Sequence, residues 1–214
     1  MTYLEIVNNI LRRLRERTVS TVEETAYSTL IGVLVNDAKE EVENAWNWSA
    51  LRTTLSATTT SGTFNYELNG TKNRFKVLDV VNDTGNFFMT YRTASDFNNW
   101  FLNQTPANGS PRYYSFNGIS DDGDTLVDLY PIPNGAFDLR FNVVMPQAEL
   151  TADSTTLLIP AKPVQMLAYA KAVEERGEDG GASANTAYAT AGRVLNDAIA
   201  FDSAKHPEEI IWTS

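Results

Sequence analysis

The hydrophobic period of this chain changes twice, and that limits the folds open to it more than any single residue does. Residues 2–16 repeat at the helical spacing, with Tyr3, Leu4, Val7, Ile10, Leu11 and Leu14 on one stripe. "TVSTVEE" then reads as a loop with a capping box, Ser20 or Thr21 as N-cap and Glu23 or Glu24 as its partner. A second, longer helix keeps Tyr27, Leu30, Ile31, Leu34, Ala38, Val42, Ala45 and Trp46 on one face and ends near "WNWS" at 46–49. From Leu51 to Val144 the spacing falls to two. "TFNYEL", "RFKVLDVV", "FFMTYR", "RYYSF", "TLVDLYP" and "FDLRFNVV" are strands, separated by the turn signals "NGTKN", "NDTGN", "NGSP", "DDGD" and "PNG". "SDFNNWFLN", 95–103, is a short helix among them. Helical spacing returns over Pro160–Arg176, with Val164, Leu167, Ala168 and Ala172 on a face. After the joint "GEDGG" it continues through Ala184, Ala187, Tyr188, Ala191, Val194, Leu195, Ala198 and Ile199.

Two helices at each end of the chain cannot bury their stripes alone, and packing them together is the economical solution. The expectation is therefore an α+β fold: an antiparallel bundle of N- and C-terminal helices, a β-rich insertion over about residues 51–145, and an extended C-terminal arm. The domain boundaries on this reading are 1–50 with 158–203 for the discontinuous helical domain, 51–157 for the insertion domain and 204–214 for the arm. Leu30, Leu34, Trp46, Ala187, Ala191 and Leu195 are the residues expected to carry subunit or bundle packing, the alanines allowing a close approach between helices.

Acidic clusters and a lone histidine are the only hints of chemistry. "DDGDTLVDLYPI" places Gly123 at the third position and no Glu at the twelfth, which is wrong for a calcium loop; Asp and Gly are what a tight hairpin turn demands. His206 is the single histidine, and with no cysteine in 214 residues a metal site would have to be all carboxylate. No G-x-S-x-G, P-loop or G-x-G-x-x-G is present. Glu174, Glu175, Glu178 and Asp179 form a solvated helix–helix joint, and the arginines of "RRLRER", 12–17, form the polar face of one helix. No catalytic, metal or cofactor residue is assigned. A formal charge of −10 argues against a surface that grips DNA, because phosphate binding runs on Lys and Arg. The N-terminus lacks the continuous apolar core of a signal peptide, and no apolar run approaches the ~18 residues of a membrane span. The expectation is a soluble protein assembled in a cytoplasm, without membrane contact.

The last stretch, "EEIIWTS", is harder to place in a core. Ile210, Ile211 and Trp212, beyond the helix-stopping Pro207, would be a liability in water. A docking peptide and an intramolecular latch would both use them, and docking on another protein is the reading preferred.

The opening "MTYLEIVNNILRRLRE", the long helix ending in "NAWNWSALRTT" and the block "GDTLVDLYPIPNGAFDLRFNVVMPQAELTADSTTLLIP" together resemble bacteriophage head-to-tail adaptor proteins, also called connector, tail tubular or head completion proteins. The likeness covers nearly the whole chain in order of elements. It implies a structural role in the virion: a twelve-fold ring of copies beneath the portal protein, the arm docking on the portal through Pro207, Ile210, Ile211 and Trp212, and the β region facing the next tail component, a nozzle or tube protein. DNA would pass through the channel without specific binding. It implies no enzyme and no cofactor. Two other readings stay open on the residues alone. One is a tail component whose aromatic β region binds carbohydrate or a receptor, with Trp46, Trp48, Trp100 and Phe101 as its aromatics. The other is a small hydrolase working through scattered carboxylates.

Overall fold

Thr2 opens the first helix. Its hydroxyl accepts the Glu5 amide at 3.3 Å, and the Glu5 carboxylate accepts the Thr2 amide at 2.9 Å. The structure, a computed structural model, describes residues 1–71, 74–102, 105–177 and 181–205. It divides into two units, Met1–Leu51 with Pro146 onward, and Arg52–Met145.

In the first unit, α1 (Tyr3–Arg13) buries Tyr3, Ile6, Val7, Ile10 and Leu11 and carries Arg12 and Arg13 in its last turn, where cations suit the helix dipole. Helix α2 (Ala26–Ala45) starts later than the sequence suggests. Ser20 does donate its amide and hydroxyl to the Glu24 carboxylate, at 2.6 and 2.7 Å, but these bonds close a loop turn. The helix begins only where the Thr25 hydroxyl accepts the Ser28 amide and the Ser28 hydroxyl accepts the Thr25 amide, both at 3.0 Å. Ser28 is a capping partner that a search for Glu or Gln overlooks. A 3₁₀ turn over Ser49–Leu51 follows. Helix α4 (Ala161–Arg176) begins directly after Pro160 and stops at Gly177, whose φ of +64° is the left-handed conformation that ends helices. Helix α5 (Ala182–Ser203) completes the unit.

The four helices are not equivalent. Helix α4 touches α1, α2 and α5, so it is buried on more than one face, with Val164, Ala168, Ala170 and Ala172 fully enclosed. Small side chains there let three neighbours approach at once. Helix α5 packs chiefly on α4 and buries only Ala184, Ala187, Ala191 and Asp202 of its 22 residues.

Residues 146–157, expected with the β-rich insertion, group instead with these helices. Polar side chains of α1 and α2 tie them there. The Asn36 amide group clasps the Leu150 backbone, accepting its N–H at 2.9 Å and donating to its carbonyl at 3.1 Å. The Tyr3 and Leu4 amides donate to the Thr155 and Asp153 carbonyls, and Asp153 accepts the Val22 amide at 3.0 Å. Lys39 and Glu43, one turn apart, form a buried ion pair at 3.3 Å. Lys39 also donates to the Gln147 carbonyl at 2.6 Å, while Glu43 accepts the Gln147 amide at 3.1 Å. A buried pair with its remaining valences filled in this way avoids the desolvation penalty of an isolated charge.

The second unit runs β1 (Arg52–Thr58), β2 (Asn65–Leu68), β3 (Lys76–Asn82), β4 (Phe87–Phe88), β5 (Thr90–Tyr91), α3 (Ala94–Leu102), β6 (Asn108–Gly109), β7 (Tyr113–Ile119), β8 (Thr125–Tyr130), β9 (Ile132–Pro133) and β10 (Asp138–Val144). Two four-stranded sheets form, ordered β1-β10-β3-β4 and β2-β8-β7-β5, with β6 and β9 pairing separately. One core joins the sheets: Val80, Leu139, Phe141 and Val143 from the first meet Leu68, Tyr114, Val127 and Leu129 from the second. Strand β1 is absent from the six strands read from the sequence. "RTTLSAT" has only Leu55 and Ala57 to show for an inward face, and it lies at a sheet edge against β10, Leu55 opposite Phe141.

The overall result is the expected α+β arrangement, N-terminal helices packed with C-terminal helices and β-sheets between them in the chain.

Candidate functional site

The "DDGD" segment is a hairpin turn between β7 and β8. The Ser120 amide donates to the Asp124 carbonyl at 2.7 Å, and Gly123 takes a φ of +85°. The Asp124 carboxylate accepts the Gly70 amide at 2.7 Å and is buried, so its lone pairs serve a loop rather than an ion. Among the described residues no group of three or more His, Asp or Glu could hold a metal. His206, Glu178 and Asp179 lie outside the described residues. The arginines of 12–17 do what a polar face does: Arg12 donates to Asn9 at 3.1 Å and Arg17 pairs with Glu24 at 3.2 Å.

The surfaces that remain are apolar. Of the six packing residues chosen from the sequence, Ala187 and Ala191 are buried within the subunit, on the helix that packs chiefly against α4. Leu30 and Leu34 are half-buried, on the flank of α2 rather than at the centre of its buried face. That centre is Ile31, Gly32, Val35, Ala38 and Val42. Gly32 is part of the reason, for a side chain there would meet Tyr3 Oη at 2.3 Å and Val22 Cγ1 at 2.8 Å, so this face of α2 lies tight against both. Leu30 and Leu34 instead continue outward to Val33, which is half exposed. Leu195 is likewise half-buried on α5, and Phe201, six residues on, is 81 % exposed. Pro207, Ile210, Ile211 and Trp212 lie outside the described residues.

Trp46 leads to a residue the sequence did not single out. Its indole Nε1 donates to the Asp202 carboxylate at 3.2 Å, and the same carboxylate accepts the Ser49 amide at 2.9 Å, the Ser49 hydroxyl at 2.6 Å and the Lys205 ammonium at 3.1 Å. Burial would raise this carboxyl, but the Ser49 and Lys205 bonds hold it below its ordinary value. Asp202 thus fastens the last turn of α5 to the end of α2, at the point from which the chain runs on toward residues 206–214. An aspartate spaced among apolar residues in a final helical turn was the only local signal. Arg176 makes the matching clasp at the other end of the bundle: it donates to the Tyr27 hydroxyl at 2.8 Å and to the Leu14 carbonyl at 3.3 Å, and it pairs with Glu16.

In the β unit the aromatics gather around Tyr130. Trp100 stacks on it at 4.5 Å, Phe97 and Phe101 meet it edge-on at 6.3 and 6.0 Å, and Tyr113 closes on Trp100 at 5.2 Å. With rings on several sides, Trp100 anchors α3 to the sheet instead of offering an open face to a sugar. The exposed apolar residues of this unit are Phe88, Leu102, Tyr91, Ile119 and Phe64.

Clasped helix ends and outward apolar flanks describe a surface that can meet other proteins. The model of the SU10 adaptor protein family matches residues 1–208, nearly the full chain. The chain belongs to that family. It is a structural adaptor of the phage virion, a head–tail adaptor by family, and as such an assembly component rather than an enzyme. An adaptor binds other virion proteins. No helix among its described residues is long and apolar enough to cross a membrane. No curated protein matches the adaptor.

Proposed function

We propose that the adaptor forms a twelve-fold ring beneath the portal, joins head to tail, and continues the DNA channel. The observation that carries this is α5: a 22-residue helix in an adaptor subunit that buries only four of its residues fully. The half-buried row Val194, Leu195, Ala198 and Ile199 and the exposed Phe201 remain for a neighbour, with Leu30, Val33 and Leu34 of α2 as a second flank. A contact between two different surfaces of identical subunits closes into a ring when its rotation permits. The arm, through Ile210, Ile211 and Trp212, docks on the portal. The β unit, with Phe88 and Tyr91 exposed, faces the next tail component. A charge of −10 per copy gives an acidic lumen that repels DNA and lets it slide.

The test is native mass and negative-stain imaging of the adaptor alone and mixed with the portal protein of the same phage. A ring on the portal, lost on truncation before Pro207, is the expected outcome. A protein that stays monomeric and ignores the portal would refute the proposal.

A further inference from the structure

A groove of about 490 Å³ runs between the start of α4 and the last turns of α5. Pro160 and Pro163 form one wall; Val194, Ala198 and Phe201 form the other. Phe201, 81 % exposed, stands on this wall and makes the groove's apolar lining continuous with the surface. We propose that the groove is a binding site for the chain's own C-terminal arm, with Ile210, Ile211 and Trp212 seated against Phe201 and the two prolines.

Position is the first argument. Lys205, the last described residue, itself lines the groove, so the arm sets out from the groove's mouth. Length is the second. From Val194 to Lys205 helix α5 rises ~16 Å. The seven residues from Lys205 to Trp212 span up to ~24 Å when extended. After a turn at Pro207 the five residues to Trp212 span up to ~17 Å, enough to bring Ile210, Ile211 and Trp212 back level with Phe201. Charge is the third. Lys162 stands on the α4 side, while the arm brings Glu208 and Glu209 just before its apolar residues; Lys205, at the mouth, is already paired with Asp202. Two carboxylates also line the groove. Asp202 is taken up by Trp46, Ser49 and Lys205, which leaves Asp197 as the acid the arm must pass. An arm of this composition cannot stay in water without exposing Ile-Ile-Trp; parked, it hides those residues and covers Phe201.

The site does not depend on the portal reading, since parking is a property of the adaptor alone. If both hold, the same three side chains serve two seats in turn: docking must first draw the arm from its groove, which also bares Val194, Ala198 and Phe201 for the neighbouring subunit. That exchange discourages premature contacts between arms of unassembled subunits.

The chain has no cysteine, so a pair of spin labels can be introduced cleanly at Asn196→Cys, exposed on α5 outside the groove, and Ser214→Cys. Electron–electron dipolar spectroscopy on the full-length protein should give one narrow distance. Phe201→Ala with Lys162→Glu, both at exposed positions, should abolish that peak while helical circular dichroism stays unchanged. Mixing with excess unlabelled protein should leave it in place. A broad distribution in the parent protein would overturn the proposal, as would a narrow peak indifferent to the groove substitutions. A peak that disappears on mixing would overturn it too, by assigning the arm to a neighbouring copy's groove. None of these outcomes bears on portal binding, which the imaging experiment reads separately.

Discussion

Replacing Asp202 by asparagine removes one charge and one acceptor oxygen while preserving shape. In the native clasp, Oδ2 accepts the Trp46 indole and the Ser49 amide, and Oδ1 accepts the Ser49 hydroxyl and the Lys205 ammonium. An asparagine must turn its NH₂ toward one of these pairs. Facing Trp46 and the Ser49 amide it meets two groups that can only donate, so it will face the other way. The Ser49 hydroxyl can then rotate to accept, but the Lys205 ammonium cannot, and that charge-assisted bond is lost. Weakening of the rest, at a side chain almost wholly buried, brings the expected loss to about 2 kcal/mol. In a protein of this size that lowers the melting temperature by roughly 4–8 °C. Urea unfolding followed by circular dichroism at pH 7 measures it. A loss below about 0.5 kcal/mol, the level of an ordinary surface change, would refute the clasp. The pH dependence supplies a second check. The folded carboxyl lies below its ordinary 3.8, so its contribution is present in full above that value and fades as pH falls through the lower folded value. The gap between parent and Asp202→Asn should hold from pH 7 down to about 4 and close only as pH falls further.

Three further outcomes are expected. Lys39→Met takes the cation from the buried Glu43 carboxylate and should cost about 3–5 kcal/mol in urea unfolding, whereas Lys39→Met with Glu43→Gln should cost less, because the buried charge is removed as well. Gly32→Ala should destabilise by about 1–3 kcal/mol despite alanine's better helix propensity, since the added methyl would press on Tyr3 and Val22; a raised melting temperature would show that α1 and α2 can simply part. The Tyr188 phenol, held up to about 12 by burial and by its hydrogen bond to Glu174, should titrate closer to 10.0 in Glu174→Gln, as read by ultraviolet difference absorbance.

The sequence by itself determined the elements that repeat a local rule. Tyr3, Val7, Ile10 and Leu11 recur at the spacing of one helix face and are buried; "RFKVLDVV" and "FDLRFNVV" alternate and pair as β3 and β10. "DDGD" holds the residues of a turn and is one. The order helices, strands, helices followed from these; the family came from the resemblance of whole sequence blocks and from the family model. Periodicity reports that a face is apolar, but it does not say which neighbour will cover it. That is why Leu30 and Leu34, large and well placed on a helical wheel, stand at the flank of α2, while Gly32 and Ser28, unremarkable in sequence, are buried. Tertiary structure alone decided the joins. Asn36 meets Leu150 across 114 positions, Lys39 meets Gln147 across 108, and Trp46 meets Asp202 across 156. Each is a polar group that looks solvent-bound in its own stretch of chain. The free energy that buries it comes from a partner brought near only when the rest of the unit has folded, and no local pattern records that partner.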